Sequence, residues 1–479
     1  MLSVEYVKGN PMELWREWFA CVAQLRGACS RNRTFIWMVV VLAAFSVRAD
    51  LAGVTSFVRA FALKPSAYPR LLHFFHCDAV NIRRLTKLWT QLANRIFPVF
   101  KVNGRRVFLV DGIKYSKEGR KMPAVKKLHQ SSQNNSKPPY IMGHSLQAIS
   151  LLVQNAIGAV AAVPLTAEIH EGIVFVEAWK ETLPTKMAGL GIEVARYLDE
   201  SAIFVGDAYY ACKQMITPLL EQGHDLVTRV RSNAVAYYKA PSPKVRSRGR
   251  PKLYGKKVKL KDLFEDVTEF IAAPSPVYGE TMVEISYLSL DLLWRPLGRM
   301  VRFVLVIHPR RGRIILMTTD LSMDPLATIA LYGYRFKIEL GFKQAVHVIG
   351  TYAYHFWMKS MKPVKTKTGD QNIEKESLEY WRKVIRKLNA YQRYIQLGCI
   401  AQGLLQYLAM TQGAVVWDRF KSWLKTMKRN QPPSELVVAH ALRASLIDFL
   451  ATSDLEKDFE NILKEYADPG QRPELKKAA

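Results

Sequence analysis

The chain has 479 residues and a mass of 54.6 kDa, and 49% of its residues are hydrophobic, which is enough for large cores in roughly two to four domains and excludes a disordered tail. With 69 Lys and Arg against 41 Asp and Glu, the formal net charge is +28 and the pI about 9.8; such a chain repels itself unless a polyanion or an anionic surface partners it, and nucleic acid is the first candidate. Five scattered cysteines have neither zinc-ribbon spacing nor the density of a secreted disulfide scaffold, which fits a reducing cytoplasm.

Residues 1–100 read as a helical DNA-binding region that opens on Trp15, Trp18 and Leu25. The fourteen uncharged residues from Thr34 to Val47 fall short of the roughly 20 needed to cross a bilayer, so a buried helix is expected there. Asp50 to Leu63, a break at Lys64-Pro65-Ser66 with Ser66 as N-cap, and Ala67 to His76 make a pair similar to a helix-turn-helix. Arg59, Lys64, Arg70 and His73 would then meet phosphates or base edges, although plain packing of basic helices gives the same pattern. His73, His76 and Cys77 lack a fourth ligand and read as core or DNA-facing residues rather than a metal cluster. Asn81 to Phe97 supplies a further basic amphipathic helix.

From Lys101 the apolar period switches from 3.6 residues to short runs. Val107 to Val110 reads as a buried strand ending in Asp111, followed by a basic loop with Lys114, Lys117, Arg120, Lys121, Lys126 and Lys127 and a polar connector over Gln130 to Lys137. No charged residue occurs from Pro138 to Ala167, but Gln147, Gln154, Asn155, Gly158 and Pro164 interrupt it, so strands over Tyr140 to Leu152 and Ala159 to Ile169 fit better than a membrane span. A helix over Glu177 to Leu198 follows. The strand Ile203 to Gly206 repeats the first design and ends in Asp207, then come a helix (Ala211 to Gln222) and a strand (Asp225 to Val230) leading to Arg229, Arg231 and Asn233. Residues 101–233 therefore read as a mixed α/β core with two aspartates at one sheet edge, beside Arg229, Arg231, His144 and Lys114.

Residues 234–323 read as a basic loop and a β-rich insertion. The stretch Lys239 to Lys261 includes Arg248-Gly249-Arg250-Pro251, which has the composition of a minor-groove arm, with a solvated loop as the alternative. Strands are expected over Thr281 to Leu290, Met300 to Ile307 and Ile314 to Thr319, with 309–313 as a hairpin turn. Residues 324–358 begin with Asp324 as N-cap and Pro325 at the first helical position. Wound as a helix broken at Gly333, they place Leu331, Ile338, Phe342, Ala345 and Ile349 on a core stripe, and Tyr332, Arg335, Glu339 and Lys343 on a neighbouring face. Residues 359–479 comprise a Lys-rich linker and helices near 376–411, 416–428 and 434–465. There is no internal repeat, and no export signal is expected at the start.

Asp111, Asp207 and Glu339 are three hard oxygen donors in a very basic chain, the set that holds Mg²⁺ or Mn²⁺ for phosphodiester chemistry. Strand-Asp, strand-Asp, insertion and then Tyr-x-x-Arg-x-x-x-Glu resembles the bacterial insertion-sequence transposases of the DDE class, the group with a Tyr-Arg-Glu-Lys signature, over about residues 101–350. The resemblance implies a ribonuclease H-like mixed-sheet core interrupted by the β-rich insertion and flanked by helical N- and C-terminal regions. It also implies metal binding by Asp111, Asp207 and Glu339, two ions, phosphate contact by Arg335, phosphate contact or packing by Tyr332, and base contact by Trp294, with a core position as the alternative for that Trp. The expected substrates are terminal inverted repeats and target DNA, cut and joined by a homodimer in a synaptic complex, in the bacterial cytoplasm or on the nucleoid and away from membranes. The signature lysine, due seven residues after Glu339, is replaced by Val346; Lys343, one turn after Glu339, is the substitute. An inactive DNA-binding regulator and a nuclease that cuts without joining are the alternatives.

Overall fold

The computed structural model of the protein describes residues 11–130, 138–241, 252–277, 279–420, 429, 431–452, 461, 465–466 and 468. The helical start comprises α1 (Pro11–Ala23), α2 (Asn32–Val47), α3 (Thr55–Ala60), α4 (Ala67–His76) and α5 (Ile82–Ile96). Helix α2 is apolar on every side and is buried from Phe35 to Val47, as the run Thr34 to Val47 requires. Two local expectations fail. The helix over Asp50 to Leu63 shrinks to α3, and Ser66 lies in helical backbone and makes no capping bond. Asn81, by contrast, caps α5 by accepting the Arg84 N–H.

A large mixed sheet follows. Its main strands are β1 (Arg105–Ser116), β2 (Tyr140–Gln154), β3 (Val160–Ile169), β4 (Ala202–Gly206), β5 (Asp225–Arg229), β6 (Val235–Lys239), β7 (Tyr254–Lys259), β8 (Glu284–Trp294), β9 (Arg299–His308) and β10 (Gly312–Thr318), with short strands at Lys101–Val102, Lys126–His129 and Ile271–Pro274 paired to β1, β2 and β8. Across the first five the order is β3-β2-β1-β4-β5, with β2 antiparallel to β1 and to β3, and with β4 and β5 parallel to β1. This order is consistent with the expected ribonuclease H-like core. Strands β6 to β10 extend the same sheet, because β10 pairs antiparallel with β5. Helices α6 (Leu183–Arg196) and α7 (Lys213–Glu221) occupy the connections on either side of β4; α6 starts six residues later than the run from Glu177 suggests, at the Thr182 cap.

The alternation of side chains along the strands decides what reaches the site. Odd-numbered Val107 and Leu109 of β1, Ile203 and Val205 of β4 and Val227 of β5 form one core with Leu331 and Ile338. Those two belong to α8 (Pro325–Tyr334) and α9 (Phe336–Gln344), so the helix pair lies over the odd face. Even-numbered Phe108, Val110 and Phe204 enter the larger core on the opposite face with Met187 and Val194 of α6. The Asp324 cap and Pro325 first position hold as expected, whereas the break falls at Arg335 rather than at Gly333.

Helix α10 (Leu378–Thr411) closes the free edge of β3. Gln392, Gln396 and Gln406 donate to the carbonyls of Ala167, Leu165 and Ala162 at 2.9, 2.9 and 3.2 Å, and the Trp89 indole donates to Pro164 O at 2.9 Å. These side chains satisfy acceptors that would otherwise template a further strand. Close approach here needs Gly403, whose missing Cβ leaves room for the Trp89 ring. Gly403→Val is expected to cost about 2 kcal/mol by overpacking, read as a melting temperature roughly two degrees lower. Helices α11 (Gly413–Arg419) and α12 (Glu435–Thr452) follow, and among the described residues no helix is long and apolar enough to cross a membrane.

Candidate active site

Parallel register brings the two aspartates together. Leu109 pairs with Val205, so two residues further along each strand Asp111 stands level with Asp207, on the odd face that α8 and α9 cover. Asp111 is not a strand end as expected: β1 runs on to Ser116 because β2 keeps pairing with it through Ser116↔Gly143. What ends near Asp111 is the parallel partner, β4, at Gly206. Asp207 begins a short turn, accepts the Tyr209 N–H at 3.0 Å through Oδ1, and has its carbonyl bonded by the Thr228 hydroxyl at 2.7 Å.

Arg335, at the joint of α8 and α9, ties the helix to the sheet. Its Nη1 donates to Asp111 Oδ2 at 3.0 Å and its Nη2 to Glu339 Oε1, one turn on, at 2.6 Å. The other Asp111 oxygen accepts the Gly112 N–H at 2.8 Å. The Asp111 carboxyl is pushed up to about 6: burial is the main cause, Asp207 and Glu339 push the same way, and Arg335 and the Gly112 N–H oppose them. Glu339 is half exposed, whereas Asp111 and Arg335 are mostly covered. Asp111 is thus the acid that feels both others: Asp207 beside it by register, and Glu339 through the shared Arg335 guanidinium.

The donor set fits a hard dication in kind, since all three groups are carboxylates. In spacing, Arg335 bridges two of them, and among the described residues no group of three or more His, Cys, Asp or Glu is arranged to hold a metal ion.

The remaining candidates fall into distinct places. Tyr332 is partly buried beside Arg335, whose guanidinium lies 6.0 Å from its ring; burial raises the phenol and Arg335 and Arg229 lower it. Arg229 is exposed at the end of β5. Arg231 and Trp294 line a cavity of about 590 Å³ together with Tyr209, next to Asp207; Trp294 is buried and Tyr209 half exposed. Lys114 is exposed and donates to His129 O at 2.6 Å. Lys343 is exposed one turn beyond Glu339, while Val346 is partly buried against the main core. Arg248 and Arg250 lie outside the described residues.

His144 does not face DNA. It is fully buried between Tyr354 and Tyr391, bonded to the Tyr354 hydroxyl and to Pro123 O, because both faces of β2 are covered at that point. In the helical start, Arg59 is paired with Asp50 and Lys64 with Glu465 O, whereas Arg70 and His73 line a cavity of about 550 Å³ with Arg31 and Arg33. Sequence reasoning missed Tyr210, whose buried phenol is raised by burial and then by Asp111 and Asp207. The signal was its place three residues after Asp207, on the turn that starts there.

The family model described as DDE superfamily endonuclease matches residues 27–269, just over half of the chain. Asp111 and Asp207 fall inside that match and Glu339 beyond it. No curated protein matches the chain.

Proposed function

Because the chain belongs to the DDE superfamily endonucleases, we propose that it is a DNA transposase of the insertion-sequence type, with Asp111, Asp207 and Glu339 as its acid triad. The observation that carries this reading is that Arg335 ties Asp111 to Glu339, 228 residues on, while the parallel register of β1 and β4 sets Asp207 level with Asp111. DDE superfamily endonucleases as a group act on DNA and use divalent metal ions. In this chain the three carboxylates would hold Mg²⁺ or Mn²⁺, two ions in the full site, which supply charge to an attacking and a leaving oxygen at a phosphodiester.

The chain's own residues orient the DNA. Arg335, a rigid fork of donors, grips a backbone phosphate next to the scissile bond, and Tyr332 packs beside it. Arg229 and the exposed Lys343 and Lys114 are assigned to flanking phosphates, and Lys343 to the part of the signature lysine missing at Val346. The cavity of Trp294, Tyr209 and Arg231 suits an unstacked base. Arg248 and Arg250 supply a basic arm, and the helical start with Arg70 and His73 binds the terminal inverted repeats. The protein acts as a homodimer that pairs two ends, in the cytoplasm and on the nucleoid.

The test uses linear DNA carrying the sequences that flank the reading frame, with a plasmid as target. The intact chain should cut at the ends and join them to the plasmid. Glu339→Gln should lower both steps on the order of 10³-fold while still binding the ends. Cutting with no joined product would leave a nuclease of the same fold, and DNA binding with no cutting would leave a regulator.

A further inference from the structure

We propose that Arg335 is a gate on the acid cluster: without DNA its guanidinium takes the place of a divalent cation between Asp111 and Glu339, and a DNA phosphate draws it off, so that the cluster binds a dication tightly only when DNA is in place. The inference rests on the proposed function and adds its regulation.

Three observations carry it. The first is the occupancy. Arg335 donates to Asp111 Oδ2 and Glu339 Oε1 at once, so a cation that bridges those two oxygens must displace it. The second is a vacant station for the displaced side chain. A cavity of about 330 Å³ adjoins Arg335, with an apolar floor from Val306, Leu316 and Ile329 and with Tyr332, His308 and Arg311 also lining it. Arg311 there is paired with Glu280 Oε1 at 2.7 Å, so a phosphate at the mouth of this cavity meets the fork of Arg335 first and that of Arg311 only in exchange for Glu280. The third is the backbone. At Arg335 the ladder tightens to three-residue bonds, Arg335 N–H to Tyr332 O and Ile338 N–H to Arg335 O, each 3.2 Å, so the side chain springs from a joint between two helices.

The energetics favour exchange over simple addition. A dication and a guanidinium cannot share the same two carboxylates without strong repulsion at contact distance, so each weakens the other, and by reciprocity whatever binds Arg335 elsewhere strengthens the metal site. Phosphate is the partner that both releases Arg335 and brings the bond to be cut. The device keeps the metal-loaded site from forming on an empty protein.

The experiment follows Mn²⁺ alone, as free ion by electron paramagnetic resonance, with the full chain and with or without a duplex of the flanking sequence, after subtracting Mn²⁺ held by the duplex itself. The intact chain should bind Mn²⁺ weakly without DNA and at least about tenfold more tightly with it. Arg335→Gln should bind tightly without DNA and gain nothing from DNA. Arg335→Lys, which keeps the charge but cannot bridge both acids, should fall between. Adding Asp207→Asn to Arg335→Gln should abolish the gain. If Arg335→Gln and Arg335→Lys both bind Mn²⁺ no more tightly than the intact chain while Asp111→Asn still weakens binding, the gate is wrong and the acid cluster stands. If neither aspartate substitution changes Mn²⁺ affinity in any of these backgrounds, the acid cluster falls with it.

Discussion

Asp111→Asn is expected to give a protein that melts several degrees higher than the intact chain at pH 7.5 and cleaves DNA on the order of 10³-fold more slowly. Both effects have one source. The Asp111 side chain is 16% exposed, and burial together with Asp207 and Glu339 pushes its carboxyl from 3.8 up to about 6 in spite of Arg335. A folded value above the unfolded one means that the native state binds the proton more tightly. Its stabilising contribution is therefore complete below about pH 4 and lost as the pH rises through 6. At neutral pH the native chain holds an anion where the surroundings favour a neutral group, at a cost of up to about 3 kcal/mol. Asparagine is that neutral group in the same shape, and Arg335 keeps Glu339 as its partner. The difference in melting temperature should be near zero at pH 4, open between pH 4 and 6 and level off above. Cleavage is lost because a carbonyl amide replaces the carboxylate charge that catalysis draws on. An asparagine variant that melts lower at pH 7.5, or one that still cuts, contradicts this account.

The run Val107 to Val110 and its echo Ile203 to Gly206 revealed the two parallel strands because a strand covered on both faces must be apolar throughout. The helix carrying Glu339 was legible for a similar reason: Leu331, Ile338, Ala345 and Ile349 are all buried, as the 3.6-residue stripe demands. What the sequence could not carry was the length of β1. Asp111 lies inside it because pairing with β2 outlasts pairing with β4, and that depends on a partner 37 residues away in sequence. His144 was misplaced for the same reason: the aromatic side chains that bury it come from residues 354 and 391. Arg335 was a phosphate ligand only by the family resemblance, and its bond to Asp111, which spans 224 residues, is a product of the fold alone. The cavities beside Tyr332 and beside Trp294 likewise need strands β8 to β10 in place before they exist.

Arg48 is the residue outside the acid cluster whose loss should cost most. It is 4% exposed and lies where the helical start, α10 and the end of the Glu339 helix meet. Its Nη1 donates to the Ser56 hydroxyl at 2.9 Å and the Tyr394 hydroxyl at 3.1 Å, and its guanidinium carbon stands 4.6 Å from the Phe45 ring and 4.9 Å from the Phe57 ring. Nε and Nη2 both donate to Ile349 O, the last carbonyl of the wide helical turn Ala345–Ile349 after α9, which the Gly350 N–H closes on Ala345 O. Gly350 then takes φ +69°, and the space its missing side chain leaves is filled by the Arg48 guanidinium. Arg48→Ala leaves these acceptors without a donor and opens a cavity, for an expected loss of about 4 kcal/mol. Hydrogen exchange should speed up over residues 345–352 before it does elsewhere. Arg48→Lys reaches Ile349 O without the fork and should recover part of the stability, yet remain about tenfold slower in cleavage, because the helix bearing Arg335 and Glu339 is held less firmly over the strand ends. Gly350→Ala attacks the same contact from the other side. If one clamp is at work, the double variant Arg48→Ala, Gly350→Ala is no less stable than the worse single variant; fully additive losses would show that the two residues act separately.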